Sequence, residues 1–305
     1  MRTKLYTLCI VFAICFINSL NGFAKNIVSS GEVGISDTIS VKLYPQGVKT
    51  KNGLEGVKES YDGRYIRNVS DPEILVFLPA KSESLKPTQA VLVIPGGSYG
   101  VIAASHEGYK SIEWLNSNGI AGILLKYRLP NGHKDIPLED ARQAMRIIRE
   151  QSAKWNINPS QIGVMGFSAG GHLASSLLTR FSDALSQPNF GILGYPVIDL
   201  QGHIGTGKNL LGKDYSDGYI KEYSTNNYIG DHTPPVYIVL TDDDKIVTPS
   251  HSIKFYNALK EKGIPAEMHI YPTGNHGWWM RERYRFADDT YPLLMRWIKA
   301  QKVDK

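Results

Sequence analysis

Cysteine is almost missing from this 305-residue chain: there are two, Cys9 and Cys15, and both lie within the first 24 residues. Without that stretch the protein can form no disulfide, use no thiol nucleophile and hold no thiolate-bound metal. His-x-His and H-E-x-x-H spacings are absent and the aspartate cluster has no calcium-loop pattern, so the sequence predicts neither a metal nor any other cofactor. Long apolar runs are missing too, apart from residues 5–17, which are too few to span a bilayer. Arg2 and Lys4 precede that run and Gly22-Phe23-Ala24 closes it, making residues 1–24 a predicted cleavable export signal. The mature protein is then expected in a periplasm or outside the cell, with no membrane attachment. Charge of one sign is scarce as well. The formal balance is +5, of which Arg2 and Lys4 carry two, too little to predict nucleic acid as a partner. No repeat, linker-like tract or charge block divides residues 25–305, which read as one domain.

What is present is an alternation. Short β-rich runs at 39–44, 65–69 and 73–78 are separated by Gly- and Asn-rich turns. Apolar runs then follow at 90–94, 120–127, 162–166, 191–193, 236–240 and 267–271, punctuated by helix-period segments at 111–118, 138–151, 171–180, 250–260 and 290–301. In the clearest of these, Leu138, Ala141, Ala144, Met145, Ile147 and Ile148 form one stripe against Arg142, Arg146 and Arg149. Near-continuous apolar strands alternating with helices predict an α/β fold with a mostly parallel central sheet and helices on both faces. The early runs are expected to add antiparallel strands at its edge. Residues 199–233 break the rhythm and are too long for an ordinary connection, so they read as an excursion at one side of a cleft.

Chemistry enters at Gly166-Phe167-Ser168-Ala169-Gly170, which follows the run Ile162-Gly163-Val164-Met165 and precedes a helical segment. Strand, sharp turn and helix with a serine at the apex is the arrangement that exposes a nucleophilic hydroxyl, and small neighbours are needed because the turn is tight. Such a serine needs a base, and the base an acid, supplied from the ends of later strands in the order Ser, Asp, His. His276, in the loop Pro272-Thr273-Gly274-Asn275-His276-Gly277, is the one histidine in a Gly-flanked loop just past a late strand. The acid comes from Asp242-Asp243-Asp244, with Asp199 as an outside candidate; Asp243 is the choice, its neighbours serving to solvate the loop or cap the next helix. Pro95-Gly96-Gly97-Ser98-Tyr99 follows the first core strand, so the backbone N–H groups of Gly97, Ser98 and Ala169 are the expected oxyanion donors.

Several further residues carry a functional and a structural reading. Tyr99, His172 and Trp278 are candidates to line a substrate site, and Trp278 and Trp279 have flat rings that could stack on a sugar. His172 reads equally as a buried, hydrogen-bonded histidine, and one tryptophan at least as core. Arg128 reads as one half of a buried ion pair, and Glu107 as a helix cap.

Taken together, Pro95 to Tyr99, Lys126-Tyr127-Arg128-Leu129-Pro130, Gly166-Phe167-Ser168-Ala169-Gly170-Gly171-His172-Leu173-Ala174, Asp243-Asp244-Lys245 and Tyr271 to Gly277 resemble the α/β-hydrolase esterases, and among them secreted bacterial acetyl xylan esterase-like enzymes. Ser98 and Asn275 each stand where that family commonly has glycine, and neither change removes a backbone N–H. The resemblance implies Ser168 as nucleophile, His276 as base and Asp243 as acid, an acetylated plant carbohydrate as substrate, and no cofactor. Two rivals are a prolyl oligopeptidase-like serine peptidase, which uses the same order of residues but usually brings a large N-terminal propeller, and a non-catalytic carbohydrate-binding relative.

Overall fold

Where the sequence alternates apolar runs with amphipathic stretches, the chain builds an eight-stranded sheet covered by helices. The structure is a computed structural model that describes residues 38–80 and 86–301; the predicted export signal lies outside the described residues. In chain order the strands are β1 Ile39–Lys42, β2 Ser60–Tyr61, β3 Ile66–Arg67, β4 Glu73–Phe77, β5 Thr88–Ile94, β6 Ala121–Lys126, β7 Ile157–Phe167, β8 Phe190–Gly194, β9 Val236–Thr241 and β10 Ala266–Tyr271. The helices are α1 Lys110–Ser117, α2 Ile136–Glu150, α3 Ser168–Thr179, α4 Ile204–Leu211, α5 Asp217–Glu222, α6 Pro249–Glu261 and α7 Ala287–Ala300.

The strand order across the main sheet is β1-β4-β6-β5-β7-β8-β9-β10. From β6 to β10 every pair is parallel, and β4 and β1 are added antiparallel at one edge. Val91, Leu92, Val93 and Ile94 in β5, and every residue of β6, β8 and β9, are buried, as strands sandwiched between two helical layers must be. One early run departs from expectation. Tyr65 to Val69 does not join the main sheet; only Ile66 and Arg67 pair, with Ser60 and Tyr61, in a separate two-stranded ribbon.

The topology decides where chemistry can sit. The chain passes from β5 outward to β6, then returns to place β7 on the other side of β5, so the strand order reverses between β5 and β7. Ligands of open α/β sheets bind at such a reversal, outside the carboxyl ends of the strands. Ile94 pairs with Gly166, which puts the Pro95-Gly96-Gly97 loop directly beside the serine turn. The excursion at 199–233 is filled with short helical pieces, α4 and α5 among them, rather than irregular chain.

The candidate active site

Ser168 stands at the first position of α3 with a φ of 53°, a left-handed value that a side-chain-bearing residue adopts only when its surroundings force it. The flanking glycines show what does the forcing. A Cβ at Gly166 would lie 2.3 Å from the carbonyl oxygen of Gly170, and one at Gly170 would lie 2.1 Å from that of Ile94. Helix and strands are therefore in backbone contact at the turn. Since backbone has nowhere to retreat, Gly170→Ala is expected to lower stability by at least about 2 kcal/mol, read as a fall in unfolding midpoint. An unchanged midpoint would mean that the close approach is not needed.

Beside the turn, the loop after β5 folds back so that Gly97 (φ 125°) accepts N–H groups from Gly100 at 2.9 Å and Val101 at 3.1 Å. A Cβ at Gly97 would meet the Val101 carbonyl oxygen at 2.2 Å, so only glycine fits. The N–H groups of Gly97 and Ser98 reach no acceptor among the described residues. That of Ala169 lies in the first turn of α3, where no carbonyl precedes it to accept. The positive end of the helix adds to these donors.

His276 Nε2 lies 2.9 Å from Ser168 Oγ, and His276 Nδ1 lies 2.7 Å from Asp244 Oδ2. The expected acid was Asp243, and the structure corrects this by one residue. Asp244 is 2% exposed; its other oxygen accepts the N–H groups of Ile246 and Val247, both at 2.9 Å. Asp243 faces the loop backbone instead, accepting from Thr273 Oγ1 at 2.6 Å, Gly274 N at 3.0 Å and Asn275 N at 2.8 Å. Burial alone would raise its pKa, but those hydrogen bonds outweigh burial and hold it below the usual carboxylate range. The two neighbours divide the work: Asp243 pins the loop that carries His276, and Asp244 takes the ring. Because an ionised carboxylate only accepts, the Nδ1 proton sits toward Asp244, leaving Nε2 free to accept from the serine.

Two residues beneath this row had weaker or no signals in the sequence. Glu107 caps nothing: it is buried, and its carboxylate accepts the Gly96 N–H at 2.7 Å and the Tyr195 hydroxyl at 2.9 Å. Burial pushes its pKa up, against the pull of those donors. The ring of Tyr195, which follows β8, meets His276 edge-on with centroids 4.9 Å apart. Glu107 thereby ties the loop after β5 to the floor under the histidine.

The three candidate substrate-lining residues are all interior. Tyr99 and Trp278 are each 2% exposed and His172 is 1% exposed. Trp278 stacks on Tyr284 at 4.0 Å, and Trp279 is equally enclosed, donating to Ser111 Oγ at 2.8 Å. His172 Nε2 donates to the Tyr223 carbonyl at 2.7 Å, and Nδ1 accepts from the Tyr99 hydroxyl at 2.9 Å. It thus fastens α3 to the excursion. Burial, with Arg180 and His251 nearby, lowers its pKa to about 4, so the folded ring stays neutral where an unfolded one takes a proton. The sign follows: stability falls as pH drops below ~6.5, by about 2 kcal/mol at pH 5 from this ring alone. His172→Gln, which keeps an acceptor and a donor, is expected to lose that much less than the parent between pH 7 and 5 in denaturant titrations. An equal loss would show that the ring is protonated in the folded state.

The excursion reaches the site at another point, with Asn209 Nδ2 donating to the Ser98 carbonyl at 2.8 Å. It therefore borders the loop after β5, as a cleft wall would.

A serine turn after the central strand, donors after β5, an acid after β9 and a histidine after β10 define an α/β hydrolase. Residues 127–302 match the prolyl oligopeptidase family, and the chain belongs to it. It is 38% identical to an acetylxylan esterase of Xylanibacter ruminicola over 79% of this chain and 52% of that protein. It is 35% identical to endo-1,4-beta-xylanase B of Butyrivibrio fibrisolvens over 61% of this chain and 32% of the other. The chain thus spans about half of the first relative and a third of the second. Among solved structures, an acetyl ester-xyloside bifunctional hydrolase from Caldicellulosiruptor lactoaceticus superposes with a TM-score of 0.72 and 32% identity, over 89% of this chain and 98% of that one.

Proposed function

We propose that this protein is an exported serine esterase that removes acetyl groups from xylan or its oligosaccharides. The observation that carries the reading is the unbroken row Ser168, His276, Asp244, with contacts of 2.9 and 2.7 Å, set beside unpaired backbone N–H groups. Similarity to the acetylxylan esterase and to the acetyl ester-xyloside hydrolase supports the substrate class.

In this reading His276 Nε2 takes the Ser168 proton as Oγ attacks the acetyl carbonyl carbon. The imidazolium that forms is steadied by Asp244. Negative charge moves to the carbonyl oxygen, where the N–H groups of Gly97 or Ser98, together with Ala169, receive it; each such donor is worth roughly 3 kcal/mol in the transition state. Collapse breaks the ester bond, and His276 Nε2 gives its proton to the departing sugar oxygen. Water, deprotonated by the same nitrogen, then releases acetate from Ser168. Export belongs to the proposal and rests on residues 1–24; a mature N-terminus at Lys25 would support it.

The test is acetate release from acetylated xylan and acetylated pectin, beside an aryl acetate and a peptide substrate, with Ser168→Ala as control. Release from xylan that needs Ser168 is the expected result. Cleavage of the aryl ester alone would keep the esterase and remove xylan, and cleavage of the peptide alone would make the protein a peptidase.

A further inference from the structure

A strongly basic hollow opens beside the histidine loop. It measures about 430 Å³ and is lined by Arg64, His106, Lys110, Arg281, Glu282 and Arg283. That volume falls within the ~300–1,000 Å³ range of small-ligand sites. The cations come from three separate parts of the chain: the turn between β2 and β3, the first residue of α1, and the segment after Trp279. Convergence of like charge from distant segments is unfavourable unless something offsets it. Among the lining residues one carboxylate, Glu282, accompanies four cationic side chains, and behind them the buried Glu107 interacts with Arg281.

Seven Lys and Arg side chains outside the hollow are answered by carboxylates. Lys42, Arg67, Lys126, Arg128, Lys134, Arg146 and Lys254 all sit in ion pairs. Among the described residues, Arg64, Lys110, Arg281 and Arg283 make none. Arg281 Nε is buried with no hydrogen-bond partner among the described residues. The hollow also adjoins the loop that carries His276. A Cβ at Gly277, next to His276, would lie 3.8 Å from an Arg281 guanidinium nitrogen and 4.0 Å from His106 Nε2. His106 Nε2 in turn is 3.8 Å from the Glu107 carboxylate that holds the Gly96 loop.

We propose that this hollow is a subsite for the carboxylate of an acidic sugar, a uronic acid carried on the same chain as the acetyl group being removed. The inference rests on the esterase reading given above and sharpens its substrate to acidic, acetylated xylan. A uronate supplies an anion that these converging cations can take up, beside the loop that carries His276. Guanidinium groups pair with carboxylates in a planar, two-pronged geometry that hydroxyl groups cannot copy, so the subsite separates acidic from neutral chains.

The experiment compares kcat/KM for acetate release from two acetylated xylo-oligosaccharides of equal length, one neutral and one bearing a single glucuronic acid branch. A preference of roughly fivefold for the acidic substrate is expected at low salt, shrinking as salt screens the partly exposed cations. In Arg64→Gln/Arg283→Gln, and separately in Lys110→Gln, the ratio should fall toward one. A ratio near one in the parent, or one indifferent to these substitutions, overturns the subsite while leaving the esterase standing. Calorimetry of the Ser168→Ala protein with the two deacetylated oligosaccharides keeps the questions apart. If neither substrate releases acetate, the xylan esterase reading fails, and tighter binding of the acidic chain, lost in the arginine double variant, still supports the hollow. Equal binding of the two overturns it.

Discussion

Asp244→Asn is expected to lower kcat for ester hydrolysis by about four orders of magnitude, while Asp243→Asn lowers it by less than about tenfold. The difference follows from what each carboxylate touches. Asp244 is within 2.7 Å of His276 Nδ1 and so fixes which ring nitrogen carries the proton. An amide there can donate to Nδ1, which moves the ring proton to Nε2 and leaves nothing to accept from Ser168. Ground-state geometry would survive, because Asn still offers one oxygen to the N–H groups of Ile246 and Val247. Asp243 receives the backbone N–H groups of Gly274 and Asn275 and the Thr273 hydroxyl, all of which an Asn oxygen can still receive in part. Its loss loosens the loop without changing the protonation of the ring. Equal losses in the two variants would show that the pairing of His276 with Asp244 is not what activates the serine.

Arg128→Met is expected to cost about 3–5 kcal/mol of stability, a fall in melting temperature of about 10 °C. Arg128 and Asp140 are both buried, with side-chain exposures of 1% and 0%. Asp140 accepts from Arg128 Nη2 at 2.5 Å, from Nε at 3.0 Å and from the Arg128 backbone N at 2.9 Å. The guanidinium also reaches the Thr50 carbonyl and lies over the Tyr44 ring, which joins the chain before β2 to the end of β6 and to α2. Removing the arginine strands a carboxylate in the core, and the penalty is that of the orphaned charge rather than the worth of the pair. Arg128→Met/Asp140→Leu should therefore recover much of the loss. A double variant no more stable than the single one would show that the bonds to Thr50 and Tyr44, not the ion pair, carry the effect.

The sheet was legible because burial on both faces leaves a plain mark in sequence. Runs such as Val91-Leu92-Val93-Ile94 and Val236-Tyr237-Ile238-Val239-Leu240 have no alternation to mistake for a surface strand. The serine and histidine were legible because each sits in a loop whose glycines are required by close backbone approach or a left-handed turn, as at Gly166, Gly170 and Gly277. The acid was not. Composition cannot tell which of two adjacent aspartates turns inward; that depends on how the backbone leaves β9, with Asp242 N still bonded to the Tyr271 carbonyl and the next residues turning away. One clue was there: Asp244 stands two and three residues before Ile246 and Val247, the spacing of an aspartate that closes its own turn. Tyr99, His172 and Trp278 misled for a related reason. An aromatic next to a catalytic loop serves as readily for floor as for wall, and here the loop is built on a packed aromatic layer of Tyr195, Trp278, Trp279 and Tyr284. Glu107 gave little sign because its partners, the Gly96 N–H and Tyr195, lie in the loops after β5 and β8 rather than in its own helical turn.

The most direct measurement is the site of reaction with a fluorophosphonate, located by peptide mass spectrometry in the parent protein and in Ser168→Ala and Asp244→Asn. A serine activated through His276 and Asp244 predicts a single adduct on Ser168, absent from the alanine variant and formed far more slowly in the asparagine one. An adduct elsewhere, or none on the parent protein, would contradict the assignment of Ser168 as the nucleophile.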